Sequence, residues 1–365
     1  MKKVIVTGGA GYIGSHTCVA LARAGYLPVV VDNFCASDRR IPGRVRELTG
    51  ADFPVHELDC RDHAALARVF ELEAPVSGVI HFAAHKSVGV SVREPREYYD
   101  NNIGSLAALL QVLERAHVPE LVFSSSCTVY GQPEQLPVTE ASPIRPAESP
   151  YGRTKQVCES LLEDVVRAAQ ATPQGSALPP GSALPPGSAL PQRSVLRAVT
   201  LRYFNPVGAH PSARIGELPL GKPETLAPYI TQTAAGLRDE LVVFGNDYPT
   251  PDGTCVRDYL HVCDLALAHV AALAWMEKRP AGSFHEVFNV GTGQGVSVLE
   301  AIRAFEAVSG VPLRYRFGPR RPGDAVSVYA SVDKIERELG WRAQLGIVDA
   351  MRDAWSWQQA LGAGL

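Results

Sequence analysis

The chain has 365 residues, 46% of them apolar, a net charge of −3 and seven cysteines. That length accommodates one large domain or two ordinary ones, and the near-neutral charge gives no electrostatic reason to expect nucleic acid or an anionic membrane as partner. No run of about 20 apolar residues spans a bilayer, the N-terminus lacks a leader pattern, and the odd, scattered cysteines show no metal-ligand spacing; no metal site and a cytoplasm with reduced thiols are the expectation. Cys18, Cys35, Cys60, Cys158, Cys255 and Cys263 read as packing residues.

The first element is a strand, Val4 to Thr7, running into Gly8-Gly9-Ala10-Gly11-Tyr12-Ile13-Gly14 and then a helical pattern from Ser15 to Ala24. Glycines at 8, 11 and 14 let the backbone approach a dinucleotide diphosphate, and the helix that starts near Tyr12 aims its free N–H groups there. Tight turns use the same residues, so the triplet gains meaning only from its strand-turn-helix setting. The second strand, Val29 to Asp32, ends in an acid that accepts hydrogen bonds from an adenosine ribose and repels a 2′-phosphate, which favours NAD over NADP; a helix cap or turn is the plainer role for Asp32. Asp59-Cys60, at the end of the third strand, falls near the adenine.

Further along, Ala64 to Leu72 reads as a helix, Val79 to Phe82 as a strand, Leu121 to Ser124 as another and Val199 to Tyr203 as a fifth. This alternation predicts a doubly wound parallel sheet with ligands at the carboxyl ends of its strands. Gly8 to Gly14, Asp32, Ala83 to Lys86, Ser124 to Ser126 and Tyr203 to Asn205 all fall at such ends.

Tyr151-Gly152-Arg153-Thr154-Lys155 places a phenol and an ammonium four residues apart, on one helical face; Pro150 suits the helix start. A free phenol has a pKa of about 10, and a nearby ammonium favours its ionised form, so Tyr151 can serve as a base. The Ser124-Ser125-Ser126-Cys127-Thr128-Val129-Tyr130 run, some 25 residues upstream, offers a hydroxyl for the reacting oxygen. Cys127 has no histidine partner in sequence, which argues against a thiol nucleophile. Residues 172–193, with Gly-Ser-Ala-Leu-Pro-Pro hexamers, read as a surface insertion, since proline forbids helix and loop closure penalises added length weakly. Beyond Asn205 proline and glycine punctuate the chain. We expect a smaller mixed α/β unit for substrate over 206–365, a cofactor unit over 1–205, segments near 260–295 returning to the cofactor unit, a strand from Glu286 to Val290 and a helix over 296–309.

The glycine turn, the Ser124-Ser125-Ser126 run and Tyr151-x-x-x-Lys155, in this order, resemble the extended short-chain dehydrogenase/reductase superfamily, with its Rossmann-type sheet. Thr7 to Thr17, Tyr98-Tyr99-Asp100-Asn101-Asn102, Leu201 to His210, Phe244 to Thr250, Arg257 to Val262 and Pro319 to Asp324 are similar, more narrowly, to the UDP-glucose 4-epimerases. That resemblance, which runs nearly end to end outside the insertion, implies retained NAD, proton transfer by Tyr151 as hydride leaves C4 of a UDP-hexose, rotation of the 4-keto sugar and hydride return to its other face. It implies Lys155, Phe82, Ala83, Lys86, Asn33, Asn101 and Tyr203 as further cofactor contacts. For substrate it implies Ser126 and Asn205, Leu226 at the start of the substrate-unit helix, Phe244 at the uracil, Arg257 and Arg321 at the diphosphate, Asp324 at the uridine ribose and Val328 beside the sugar. A homodimer built from cofactor-unit helices is also implied.

Departures from the family pattern are Pro223-Glu224-Thr225-Leu226, where Asn-Asn usually precedes the leucine, Asn102-Ile103-Gly104-Ser105, and Ala84-His85 before Lys86. Val328 stands where the more restrictive relatives have tyrosine, so acceptance of UDP-N-acetylhexosamines is expected unless Tyr329 takes the space. A sugar-nucleotide dehydratase is disfavoured because no acid follows Ser126; an epimerase acting on a pentose or uronate remains open. A non-catalytic NAD-binding sensor would not need Tyr151 and Lys155.

Overall fold

The computed structural model describes residues 1–171, 195–219, 221–321 and 324–364. Seven strands form one all-parallel sheet: β1 (Lys2–Thr7), β2 (Tyr26–Asp32), β3 (Val55–Glu57), β4 (Val76–His81), β5 (Glu120–Ser126), β6 (Arg197–Tyr203) and β7 (Phe284–Val290). Their spatial order is β3-β2-β1-β4-β5-β6-β7. The order reverses between β1 and β4, and the crevice outside their carboxyl ends is where a doubly wound sheet holds its ligand.

Strand residues alternate between two cores, as the two-residue period requires. Val4, Val6, Val30, Ile80 and Val122 face the first helix (Tyr12–Arg23) and the Val262–Glu277 helix, packing with Cys18, Leu21, Leu265, Leu273 and Met276. Ile5, Val29, Val31, Val79, Leu121 and Phe123 face the other way, against the helices His63–Glu73, Pro95–Ala116 and Pro150–Ala171. Near-continuous apolar strands buried on both faces are the signature of a parallel sheet. The Val262–Glu277 helix thus packs on the main sheet and β7 joins its edge; β7 pairs with β6 from Phe284↔Arg197 to Val290↔Tyr203.

A separate core of Ile230, Val243, Ile302, Phe305 and Met351 is drawn from the helices Leu226–Ala234, Val298–Ser309 and Ile347–Gly362 and the strand Leu241–Phe244. Short strand pairs stitch it to the sheet: Asn205–Val207 lies parallel to Tyr259–His261, and Val256–Arg257 lies between Val296–Ser297 and Ser327–Val328. Expected and observed strands agree within a few residues. The exceptions are β3, a three-residue strand with too little pattern to announce itself, and residues 296–309, whose first two residues are strand before the helix begins behind a Ser297–Glu300 capping box. The 172–193 repeat lies outside the described residues. Cys35 corrects one expectation: it is exposed, not packed.

Candidate active site

The glycine turn is built so that no side chain fits. Gly8 has φ +70°, and a Cβ on it would lie 2.9 Å from the Ala83 nitrogen; one on Gly14 would lie 2.2 Å from the Gly8 carbonyl oxygen. The turn is closed by Gly8 N–H donating to Val31 O (2.8 Å) and Gly11 N–H to Gly8 O (3.0 Å). Gly11 stands at the N-cap without a side-chain cap, so the first-turn N–H groups of Tyr12, Ile13 and Gly14 carry the helix's positive end unblocked. A cradle that a methyl group would fill, facing a helix N-terminus, fits a dinucleotide diphosphate.

Asp32 Oδ2 accepts from the Ala10 N–H (3.0 Å), and Oδ1 from the Phe34 N–H (2.8 Å) and the Ser37 hydroxyl (2.9 Å). The acid therefore ties the glycine turn to the loop after β2, a local role beside any ribose contact. Asn33 donates to Asp59 at 3.3 Å. Arg61 forms paired bonds with Asp59 and pulls that carboxyl down to about 2. Asp59 lies two residues past β3, and Cys60 is buried in the core beside it. Phe82 and Ala83 follow β4; Phe82 packs against His269 with ring centroids 4.6 Å apart, and its N–H donates to Thr7 O. Lys86 extends over the Tyr12 ring at 5.7 Å and pairs with Glu217.

At the end of β5 the reactive groups converge. Tyr151, Lys155 and Ser126 are all buried, and the Ser126 hydroxyl stands near enough to the Tyr151 phenol to favour its ionised form. Lys155 Nζ donates to Ser124 O at 2.7 Å and lies 4.9 Å from the Phe123 ring centroid. The Ser124 hydroxyl donates to the Tyr203 phenol oxygen at 2.9 Å. Burial raises the Tyr151 phenol far above its ordinary range, Tyr203 adds to the rise, and the Ser126 hydroxyl opposes it. Burial is the larger influence on this phenol, and the Lys155 ammonium is engaged by the strand end. Burial also lowers Lys155 to about 8. Cys127 is pushed up to about 12 by burial, which removes it as a thiolate nucleophile.

On the other wall, Arg257 lies 3.5 Å from Asp324, and Arg321 donates to both Asp324 oxygens at 2.8 and 3.1 Å. The Arg321 guanidinium sits 5.0 Å from the Phe244 ring centroid, and Phe244 is 39% exposed. Asn205 donates its N–H to Asp258 O at 2.9 Å, and Leu226 opens its helix. Val328 packs with Cys127 against Val129, Tyr130 and Phe204. Tyr329 takes the opposite strand face, where a Cβ on Gly295 would lie 3.3 Å from its ring, so it does not refill the space beside Val328.

Three positioning residues escaped the sequence reading. Asn102 accepts from His85 N–H (2.8 Å) and donates to His85 O (3.1 Å) and the Thr154 hydroxyl (3.0 Å), joining the Lys86 loop to the Tyr151 helix. Asn101, the residue singled out, donates to Asn102 Oδ1. The clue was an amide at 102 on the stripe of Tyr98, Leu106, Leu109 and Leu113 that packs inward. Glu159 accepts from Ser125 and pairs with Arg202, fixing the Ser-Ser-Ser segment from behind. Asp258 is fully buried and accepts from Thr292 N–H, the Thr292 hydroxyl, Gly293 N–H and Ala330 N–H.

A dinucleotide cradle at the sheet's reversal point, with Ser, Tyr and Lys gathered at the end of β5, defines a nucleotide-dependent redox enzyme of the Rossmann type. The sequence profile of the NAD dependent epimerase/dehydratase family matches residues 4–291, and the chain belongs to that family. UDP-glucose 4-epimerase 2 of Arabidopsis thaliana is 48% identical over 359 residues, covering 98% of this chain and 95% of that one. UDP-glucose 4-epimerase of Bacillus subtilis is 47% identical over 357 residues, covering 98% and 97%. Among solved structures, UDP-glucose 4-epimerase of Stenotrophomonas maltophila with bound NAD and formylated UDP-arabinopyranose superposes with a TM-score of 0.90 at 45% identity, covering all of both chains. The enzyme of Bifidobacterium longum in complex with NAD+ and UDP gives 0.88 at 42%, again covering both chains fully.

Proposed function

We propose that this protein is an NAD-dependent isomerase that interconverts UDP-galactose and UDP-glucose by inverting C4. The observation that carries the reading is the buried Ser126–Tyr151–Lys155 group at the end of β5, beside a glycine cradle sized for a dinucleotide. NAD+, when bound, supplies the hydride acceptor for C4 and the donor that restores it.

The positive charge that bound NAD+ would bring, added to that of Lys155, would favour the Tyr151 phenolate, which takes the proton of the 4-hydroxyl and later returns one. The Ser126 hydroxyl, beside the Tyr151 phenol, holds the same oxygen, so the proton path is short and oriented. Lys155 fixes the strand end through Ser124 O and lends positive charge to the pocket. Gly8, Gly11, Tyr12, Ile13 and Gly14 hold the dinucleotide diphosphate; Asp32, Asn33, Asp59 and Cys60 flank the adenosine; Phe82, Ala83, Lys86, Asn101 and Tyr203 line the remainder. Arg257 and Arg321 bind the UDP diphosphate through guanidinium forks, Phe244 meets the uracil, Asp324 the ribose, and Asn205 and Leu226 complete the cleft.

Anchoring the nucleotide while the hexose faces a smooth apolar wall of Cys127 and Val328 lets the 4-keto sugar present either face to one base. The same valine leaves volume for a 2-acetamido group, so UDP-N-acetylglucosamine and its galactose counterpart are also substrates. A rate on the acetylated pair below about a thousandth of that on the plain pair refutes this, since a pocket that merely crowds a group discriminates far less. Residues 1–205 form the cofactor unit and 206–365 mainly the substrate unit. The enzyme works in the cytoplasm as a homodimer. Among the described residues no helix is long and apolar enough to cross a membrane.

The test follows UDP-glucose formation from UDP-galactose by purified protein without added NAD+. Conversion supports both C4 inversion and retained cofactor; no conversion even with NAD+ supplied overturns the reading. Tyr151→Phe should cut turnover about 10²- to 10⁴-fold while NAD and UDP binding persist. A dehydratase would need an acid after Ser126, where Cys127 and Thr128 stand, and a sensor would be indifferent to Tyr151→Phe.

A further inference from the structure

Glu217 belongs to neither wall of the site, yet it reaches both. It lies in the segment leading from Val207 to the Leu226–Ala234 helix, with its side chain only 11% exposed. Its backbone is clamped. The Trp357 indole N–H donates to the Glu217 carbonyl at 2.9 Å, and the indole lies so close to Gly216 that a Cβ there would fall 2.5 Å from the ring. The carboxylate then points two ways. Oε1 accepts from Lys86 Nζ at 2.9 Å, in the loop after β4, and Oε2 accepts from the Thr225 hydroxyl at 3.0 Å.

Each partner borders a place for phosphate. The Lys86 ammonium hangs over Tyr12, at the mouth of the glycine cradle. Thr225 is the N-cap of the Leu226–Ala234 helix, but its side chain makes no capping bond because Glu217 takes it. The first-turn N–H groups of Leu226 and Ala227 therefore stay free for an anion, the third residue being Pro228, which has none. An exposed lysine such as Lys86 gains little from an ion pair at large, and pays rotamer entropy to hold one geometry. A carboxylate fixed in advance by Trp357 lowers that cost by presenting a single geometry.

We infer that Glu217 is a positioning residue that straps Lys86 across the cofactor cleft, so that it governs how long NAD stays bound, and that Thr225 passes UDP binding to this strap. The inference rests on the NAD-dependent reading above. It makes cofactor retention depend on a residue that touches neither reacting atom, and it predicts reciprocal coupling: UDP at the Leu226 helix slows NAD release.

The experiment measures NAD lost over time from purified holoenzyme after desalting, with and without UDP, for wild type, Glu217→Gln, Glu217→Asp and Thr225→Val. Glu217→Gln should release NAD about tenfold faster, the scale of one charge-assisted hydrogen bond, while kcat under saturating NAD+ stays near wild type. Glu217→Asp should recover part of the retention. Thr225→Val should keep wild-type retention without UDP but lose the slowing by UDP. NAD release at the wild-type rate in Glu217→Gln overturns the strap, and slowing by UDP in Thr225→Val overturns the coupling. Should Glu217→Gln fail to fold, Lys86→Met leaves the Glu217–Trp357 clamp intact and must show the same fast release; wild-type release there overturns the strap equally. Wild-type protein that holds NAD and epimerises UDP-galactose while Glu217→Gln keeps its cofactor sinks this inference alone. Wild-type protein that binds no NAD sinks the functional reading with it.

Discussion

Lys155 is held against its own charge. Burial among Phe123, Cys158 and the end of β5 lowers its ammonium from 10.5 to about 8, an effect of about 3 kcal/mol at 1.36 kcal/mol per pKa unit. The sign follows from linkage. Below about pH 8 both folded and unfolded chains carry the proton and the full penalty applies. Between about 8 and 10.5 the unfolded chain binds more protons, so stability rises with pH; above that window the penalty is gone. Buried thiols and phenols such as Cys158 and Tyr203, raised by burial, pull stability down over the same range, so urea unfolding across pH 7 to 11 should show a more positive slope in the wild type than in Lys155→Met, and an unchanged slope in the variant would contradict the assignment. That Tyr151, Ser126 and the glycines would gather at the strand ends was legible in sequence because chemistry and backbone geometry each demand one residue type. The Tyr151 environment was not, since desolvation is a property of everything packed around a group rather than of its neighbours in the chain. Gly14→Ala gives the matching prediction for the cradle: with a Cβ 2.2 Å from Gly8 O the turn must open, and NAD content on purification should fall sharply while Tyr151 and Lys155 stay in place.

At the scale of elements, the short strands carry the substrate wall, and Asp258 holds them in register. Its four donors come from residues 292, 293 and 330, and its carbonyl receives Asn205. Arg257 precedes it in the chain and the Val328 carbonyl accepts from the Asp258 N–H, so the proposed phosphate contact and sugar wall both hang from this one buried residue. Asp258→Asn points an amide at backbone N–H groups and should cost about 3 kcal/mol, read as a drop in the urea midpoint. It should raise KM for UDP-galactose more than it lowers NAD content, because the glycine turn has no contact with this hub. Equal loss of both would show that the hub merely supports the whole fold. The motif Arg257-Asp258-Tyr259 was visible in sequence, but nothing in it distinguishes an aspartate that binds ligand from one that gathers three segments. Short elements suffer likewise: β3 and the Val296–Ser297 pair are too brief for periodicity to show.

For the whole molecule, the sequence revealed the alternation that makes the sheet but only hinted at its interleaving, because long-range pairing of β7 with β6 leaves no local trace beyond an apolar run. The outward faces tell a further story. The Pro95–Ala116 and Pro150–Ala171 helices pack side by side through Leu106, Leu109, Leu162 and Val166. Each also turns an apolar stripe toward solvent at a spacing of four: Tyr99, Ile103 and Ala107 on the first, Val157, Leu161 and Val165 on the second, all exposed or half-buried. A helix pair that is apolar inside and out needs a second layer, and a second copy of the same pair related by a two-fold axis supplies one as a four-helix bundle. Light scattering on the purified protein should therefore give twice the 39.2 kDa chain mass. Tyr99→Glu puts a charge into that seam at a side chain that is 40% exposed, so it should halve the mass and leave the fold intact by circular dichroism. A wild-type mass of one chain would leave these stripes unpartnered and remove the dimer from the proposal. Because the stripes lie on helices that carry Asn101 and Tyr151, a monomeric variant that still converts UDP-galactose would show that the site is complete within one chain.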